Sequence, residues 1–251
     1  MVKWDEVSRY VKEIRSRLLK SIIPIFILSI IFFSFGLKGN IPYPTLENSI
    51  AVQTFEILKE NLLPQGVTPI VTRPAEAVFL QIQISLLLAI IVGFPIILYQ
   101  VLRFFMPALL PKERKIFFVV FFSSFILFII GAFFSYFIIL PLMLKFLYAY
   151  ATSLGVVTFI DIGAFLGIIM SFVLTFGVIF TTPIMMFFLR YVGVNYKFWV
   201  RNWKYALLIF VILGAIITPD GSGITQIIIV IPLLVLYSLG ILLSKYARFG
   251  K

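Results

Sequence analysis

The chain has 251 residues, 62% of them hydrophobic and only 12% charged, with 29 phenylalanines, a balance that cannot cover a water-exposed surface. Histidine and cysteine are both absent, which excludes disulfides, a thiol nucleophile, an imidazole base and the common zinc and haem ligand sets. A net charge of +11 would suggest nucleic acid in a soluble protein; here it points to basic loops beside a membrane, and no nucleic-acid partner or cofactor is expected.

In chain order, the first 20 residues carry three acids and six bases and lead into an uncharged run from Ser21 to Leu37. The charged flank and the lack of a small-residue cleavage pattern make this run an anchoring span, not a removed signal. In the long connection that follows, "SIAVQTFEILKENLL" (49–63) sets Ile50, Phe55, Ile57, Leu58, Leu62 and Leu63 on one helical face opposite Glu56, Lys59 and Glu60. This segment reads as an interfacial amphipathic helix that caps the spans or lies in the headgroups. Five further uncharged runs follow: Ala77 to Leu102, Ile116 to Leu144, Gly163 to Leu189, Tyr205 to Thr218 and Ile224 to Ser244. Backbone groups in hydrocarbon need partners within their own segment, so each run is predicted to be a helix.

The fifth span stands out because its 14 residues reach roughly 21 Å across a hydrocarbon core of about 30 Å. Two readings account for it: the bilayer thins locally, or the helix begins at Trp203 and Lys204 with the lysine snorkelling to the interface. Prolines at 24, 95, 141, 183 and 232 recur inside or near the ends of the spans. Each removes a donor and bends its helix, which suits a concave wall as well as the ordinary proline content of membrane helices.

Basic residues orient the chain. Grouping connections alternately puts 17 of the 21 lysines and arginines on one side, leaving Lys38, Lys59, Arg73 and Lys145 on the other, so both termini are expected in the cytoplasm. No ionisable side chain falls well inside a span, which disfavours a proton or ion pathway through this chain alone. There is no phosphate-binding G-x-x-x-x-G-K-S/T loop, and the serines within spans (Ser85, Ser123, Ser124, Ser135, Ser171) lack a base, so ATP hydrolysis and intramembrane proteolysis lack their parts. The fold expected is an all-α polytopic membrane protein of six transmembrane helices in a single domain, residues 1–251.

Several pieces of the chain resemble one family in order and spacing. They are "KEIRSRLL" (12–19), "NLLPQG" (61–66), "FFMPALLPKERK" (104–115), "LTFGVIFTTP" (174–183) and "GAIITPD" to "IPLLVLY" (214–237). Together they are similar to the TatC family, the multi-span core of the twin-arginine protein translocase. The resemblance implies a receptor for export signals carrying two consecutive arginines, with Glu13 and Glu113 as the cytoplasmic acids that meet the pair and Arg15, Arg17 and Phe104 beside them. It also implies recruitment of single-span TatA/TatB-like subunits, contact with membrane lipids, room for a homo-oligomer within a larger complex in the cytoplasmic membrane, and export of folded proteins on the proton-motive force. A carboxylate accepts two parallel hydrogen bonds from a guanidinium fork, a geometry a lysine ammonium cannot reproduce.

The chain departs from the family pattern at identifiable positions. Where the family has F-E-x-P, it reads Phe180, Thr181, Thr182, Pro183, and the L-Y-E of the sixth span is Leu236, Tyr237, Ser238. Thr181, Thr182 and Gln226 are the candidate contacts for a partner helix. Pro64, Asp161 and Asp220 are read as outer-loop structural positions. A second class of function, a small secondary transporter with a midplane site, would use polar groups such as Gln83 and Gln100, but no internal repeat accompanies them.

Overall fold

The computed structural model describes residues 4–38, 41–63, 67–71, 73, 75–108, 114–153, 155, 159–218 and 223–246. The chain opens with a long helix α1 (Trp4–Ser34), then a hairpin of strands β1 (Phe35–Lys38) and β2 (Ile41–Pro44), helix α2 (Ile50–Leu62) and strand β3 (Thr68–Ile70). Helix α3 (Glu76–Phe105) runs through one 3-10 turn at Met106–Ala108 and is followed by α4 (Arg114–Phe134), a π-helical turn (Ser135–Ile139) and α5 (Leu140–Ser153). Strand β4 (Phe159–Asp161) precedes α6 (Ile162–Phe180), α7 (Thr182–Tyr191), the short α8 (Tyr196–Arg201), α9 (Trp203–Ile217) and α10 (Ile224–Tyr246).

Among the described residues, five helical rods are long and apolar enough to cross a membrane: Lys12–Ser34, Glu76–Phe105, Arg114–Ser153, Ile162–Tyr191 and Ile224–Tyr246. The sixth, α9, has 15 residues and spans about 22 Å at 1.5 Å per residue. It begins at Trp203, so Trp203 and Lys204 belong to the helix, yet it still falls short of a core about 30 Å thick. The expected span at 21–37 ends earlier in the structure. The helix stops at Ser34 because Gly36 must pass close to the Asn48 carbonyl, where an added Cβ would clash, and the chain turns into the β1–β2 hairpin.

The prolines act in three ways. Pro24, Pro95 and Pro232 lie within continuous helices α1, α3 and α10. Pro141 is the second residue of α5, with only Leu140 between it and the π-turn, whose wider i→i+5 winding leaves room for its ring. Pro183 lies in the first turn of α7 after a break at Thr181, where the Val178 carbonyl accepts from both the Thr181 N–H (3.0 Å) and the Thr181 hydroxyl (2.7 Å).

Helix α6 is the centre of the bundle, packed on α3, α4 and the π-turn, with Phe165, Phe172 and Phe176 fully buried. Two glycines bring α4 and α6 together: a Cβ on Gly131 would meet the Phe176 carbonyl at 2.6 Å, and one on Gly177 would meet the Phe128 ring at 2.6 Å. Each helix thus receives a phenylalanine of the other in a hole left by a missing side chain. Phe128 continues this contact into α3 by stacking on Phe94 at 3.6 Å between centroids. Helices α7 and α10 meet in the same manner where Gly240 faces Met186 and Pro183.

The opposite end from the basic N-terminal segment is closed by the hairpin, α2 and the parallel β3–β4 pair. Ser49 caps α2, its Oγ accepting from the Val52 N–H, and Ala51, Leu58 and Leu62 are the residues it buries. Ile57, expected on the apolar face, is 55% exposed: at i+6 from Ala51 it falls away from the buried stripe. The Gln81 amide of α3 donates to the Phe33 carbonyl (3.1 Å), the Leu46 carbonyl (3.0 Å) and Ser49 Oγ (2.9 Å), tying α1, the hairpin connection and α2 to one side chain.

Candidate functional site

At the basic end, α1 and α3 lie side by side and leave a groove of about 210 Å³ between them. Helix α1 contributes Ile14, Arg17, Leu18 and Ser21, and α3 contributes Ile97, Gln100, Val101, Phe104 and Phe105. Each set follows the i, i+3, i+4, i+7 spacing that puts side chains on one helical face. The lining is almost wholly apolar, with Arg17 at its rim. The Phe104 and Phe105 rings meet edge to face at 5.3 Å, and Phe105 does the same with Phe188 of α7 at 6.1 Å, which fixes the floor of the groove against the rest of the bundle.

Glu13 stands one turn before Arg17 on α1. The Arg17 Nε donates to Glu13 Oε1 at 3.0 Å, and its Nη2 contacts the same oxygen. The second carboxylate oxygen accepts nothing among the described residues. The Glu13 side chain is 36% exposed and that of Arg17 19%, so the arginine lies against the groove while the acid stays accessible. In its i, i+4 surface geometry this ion pair contributes about 0.3–0.5 kcal/mol. An accessible carboxylate whose second oxygen accepts nothing among the described residues, next to an apolar slot, can receive a cationic side chain whose chain neighbours are hydrophobic.

Glu13, Arg17 and Phe104 are therefore brought to one place, and Arg15 is exposed on another face of α1. Glu113, Pro64 and Asp220 lie outside the described residues. Asp161 caps α6, its Oδ1 accepting from the Ala164 N–H at 2.8 Å. Thr181 is buried within the bundle, and the Gln226 amide donates to the Val211 carbonyl of α9 at 2.6 Å while its Cγ packs on Gly214. Both are used to hold this chain's own helices. Thr182 is half-buried, and its hydroxyl makes no hydrogen bond among the described residues. Of the two glutamines set aside for a midplane site, Gln100 lines the α1–α3 groove and Gln83 lies near the capped end with Arg73, Glu76 and Asp161. The residues missed from the sequence are the apolar ones, Ile14, Leu18, Ile97 and Val101; their helical spacing was present but reads equally as a lipid-facing surface.

Comparison with known proteins gives the family of the chain over nearly its whole length. The family profile described as Sec-independent protein translocase protein (TatC) matches residues 9–232. A Sec-independent protein translocase protein TatC from Aquifex aeolicus is 37% identical over 249 residues, covering 98% of this chain and 97% of its own. The protein of the same name from Escherichia coli (strain K12) is 30% identical, covering 93% of this chain and 86% of its own. The fold is similar to the crystal structure of a twin arginine translocase receptor, TatC, with a TM-score of 0.80 and 36% identity over 95% of this chain and 99% of that one. This multi-pass membrane protein belongs to the TatC family of Sec-independent protein translocase proteins.

Proposed function

We propose that this protein is the core receptor of a twin-arginine translocase, a non-enzymatic transport subunit that binds Arg-Arg signal peptides at the basic end of α1 and α3. The observation that carries this reading is Glu13, half-open beside an apolar groove in a TatC-family chain. The protein sits in the cytoplasmic membrane with both termini inside, in accord with the 17 of 21 basic residues on that side.

Binding proceeds by exchange. One signal guanidinium takes Oε2 of Glu13 or displaces Arg17 to make the two-bond fork, and the second is met by Glu113 from the connection before α4. The apolar residues beside the arginines lie in the groove against Leu18, Val101 and Phe104. Lysine is disfavoured because a point ammonium cannot use both oxygens of a carboxylate in parallel. Once loaded, the receptor recruits single-span TatA/TatB-like subunits to its bent helices, and the proton-motive force drives folded cargo outward. Thr182, unused internally, is the candidate polar contact for such a helix.

The test is the affinity of the protein in lipid nanodiscs for a fluorescent Arg-Arg signal peptide against its Lys-Lys version, for wild type, Glu13→Gln and Glu113→Gln. Wild type is expected to prefer Arg-Arg, with each substitution reducing the preference about tenfold, the value of one charge-assisted hydrogen bond near 1.5 kcal/mol. Equal binding of both peptides by all three proteins overturns the assignment.

A further inference from the structure

Another groove, polar where the α1–α3 groove is apolar, opens where α8 turns into α9. It has a volume of about 550 Å³ and is lined by Lys197, Phe198, Arg201, Asn202, Lys204 and Tyr205. All three cations are exposed, and none is in an ion pair among the described residues. No carboxylate lines the groove. Three unpaired positive charges held together repel one another, so the arrangement favours an anion between them.

The groove is built on fixed backbone. Asn195 caps α8, its Oδ1 accepting from the Lys197 N–H at 3.1 Å. The Asn202 amide donates to the Phe198 carbonyl at 2.9 Å and fixes the kink into α9. Tyr237 of α10 anchors α8 from behind by donating to the Trp199 carbonyl at 2.9 Å. Asn202 makes no side-chain cap to α9, so the positive end of that helix adds to the field of the three side chains.

The rim says which anion. Phe198, Val200, Trp203 and Tyr205 are exposed around the cations, and from Leu208 onward α9 presents exposed Ile209 and Ile212 to lipid. An aromatic and aliphatic border of this kind marks the membrane interface, with charge above it and acyl chains below. We infer that this groove is a binding site for the phosphate-bearing headgroup of an anionic phospholipid, with Lys197, Arg201 and Lys204 around the phosphate and the acyl chains lying along α9. A soluble acidic peptide would satisfy the charges but leave the apolar border unmatched.

Trp199 and Trp203 report on the site directly, and Trp4→Phe removes the only other tryptophan. This variant is placed in phosphatidylcholine nanodiscs and titrated with acyl-brominated phosphatidylglycerol or acyl-brominated phosphatidylcholine, following quenching. Phosphatidylglycerol is expected to quench selectively, and each of Lys197→Gln, Arg201→Gln and Lys204→Gln to reduce that selectivity up to about fivefold. A control carrying Lys12→Gln, Lys20→Gln and Lys245→Gln removes three charges elsewhere at the basic end and should keep it. Equal quenching by the two lipids, or equal loss in the control, overturns the site. Loss of selectivity on adding millimolar inorganic phosphate would assign the groove to a free anion and overturn the lipid. The readout needs no signal peptide, so it stands or fails separately from the receptor assignment.

Discussion

The packing of α4 on α6 gives a prediction whose sign depends on position alone. Gly131→Ala would set a methyl 2.6 Å from the Phe176 carbonyl oxygen and 2.6 Å from Phe180 Cβ, about 0.8 Å inside ordinary contact. A backbone carbonyl in the middle of a helix cannot turn away, so the two helices must separate. Opening a packed interface by that amount forfeits between a quarter and a half of each facing contact, and overpacking of this kind costs about 1–3 kcal/mol. Gly167→Ala, on α6 itself, meets nothing within 4 Å. Both changes gain about 1 kcal/mol of helix propensity, which cancels when they are compared. Equilibrium unfolding in mixed micelles should find Gly167→Ala at least as stable as wild type and Gly131→Ala lower than Gly167→Ala by about 1–3 kcal/mol. If the two agree within about 0.5 kcal/mol, α4 and α6 are not held at this separation and the account of the glycine contacts is wrong.

Asp161→Ala should destabilise the protein by about 1 kcal/mol through loss of the α6 cap, and Asp161→Asn should restore most of it, as read by thermal unfolding. Gln81→Ala removes a donor shared by three acceptors, at a cost of about 1–3 kcal/mol; limited proteolysis should then cut the 35–48 hairpin faster than in wild type. Arg17→Gln frees Glu13 from its internal partner and should raise the affinity for an Arg-Arg peptide about twofold, the worth of an exposed i, i+4 pair. A loss of affinity would mean that Arg17 holds Glu13 in its binding position instead of competing for it.

The spans could be read from sequence because charge and hydropathy decide where a helix meets lipid, and the basic residues at the span ends are in plain view. Their exact limits could not, because hydropathy marks the membrane and not the helix. The α1 helix runs back to Trp4 through charged residues that satisfy its backbone as well as apolar ones do, and it stops at Ser34 for the local reason that Gly36 must pass Asn48. The π-turn before Pro141 is a response to the proline that the sequence marks without specifying its form. Glu13 is marked as a candidate by its motif, whereas the groove beside it is not marked in the sequence, since Leu18 and Val101 carry no chemical sign until two helices are set side by side. Gln226 shows the reverse case: a polar residue in a span invites a partner from outside, and here the partner is the Val211 carbonyl fifteen residues earlier in the same chain.

If Glu13 receives a signal arginine as proposed, its pair with Arg17 sets the first competition that the ligand meets. A guanidinium tethered one helical turn away competes at an effective concentration on the order of millimolar, far above that of any single cellular peptide. A lone arginine in passing must win Glu13 from that rival with no other contact to help it. A ligand that also fills the groove and reaches a second acid wins readily, because its extra contacts have no internal counterpart. On the proposed role of Glu13, this rival weakens every arginine ligand by about the same twofold, so the preference for two arginines over one rests on the contacts that the second arginine and the groove add.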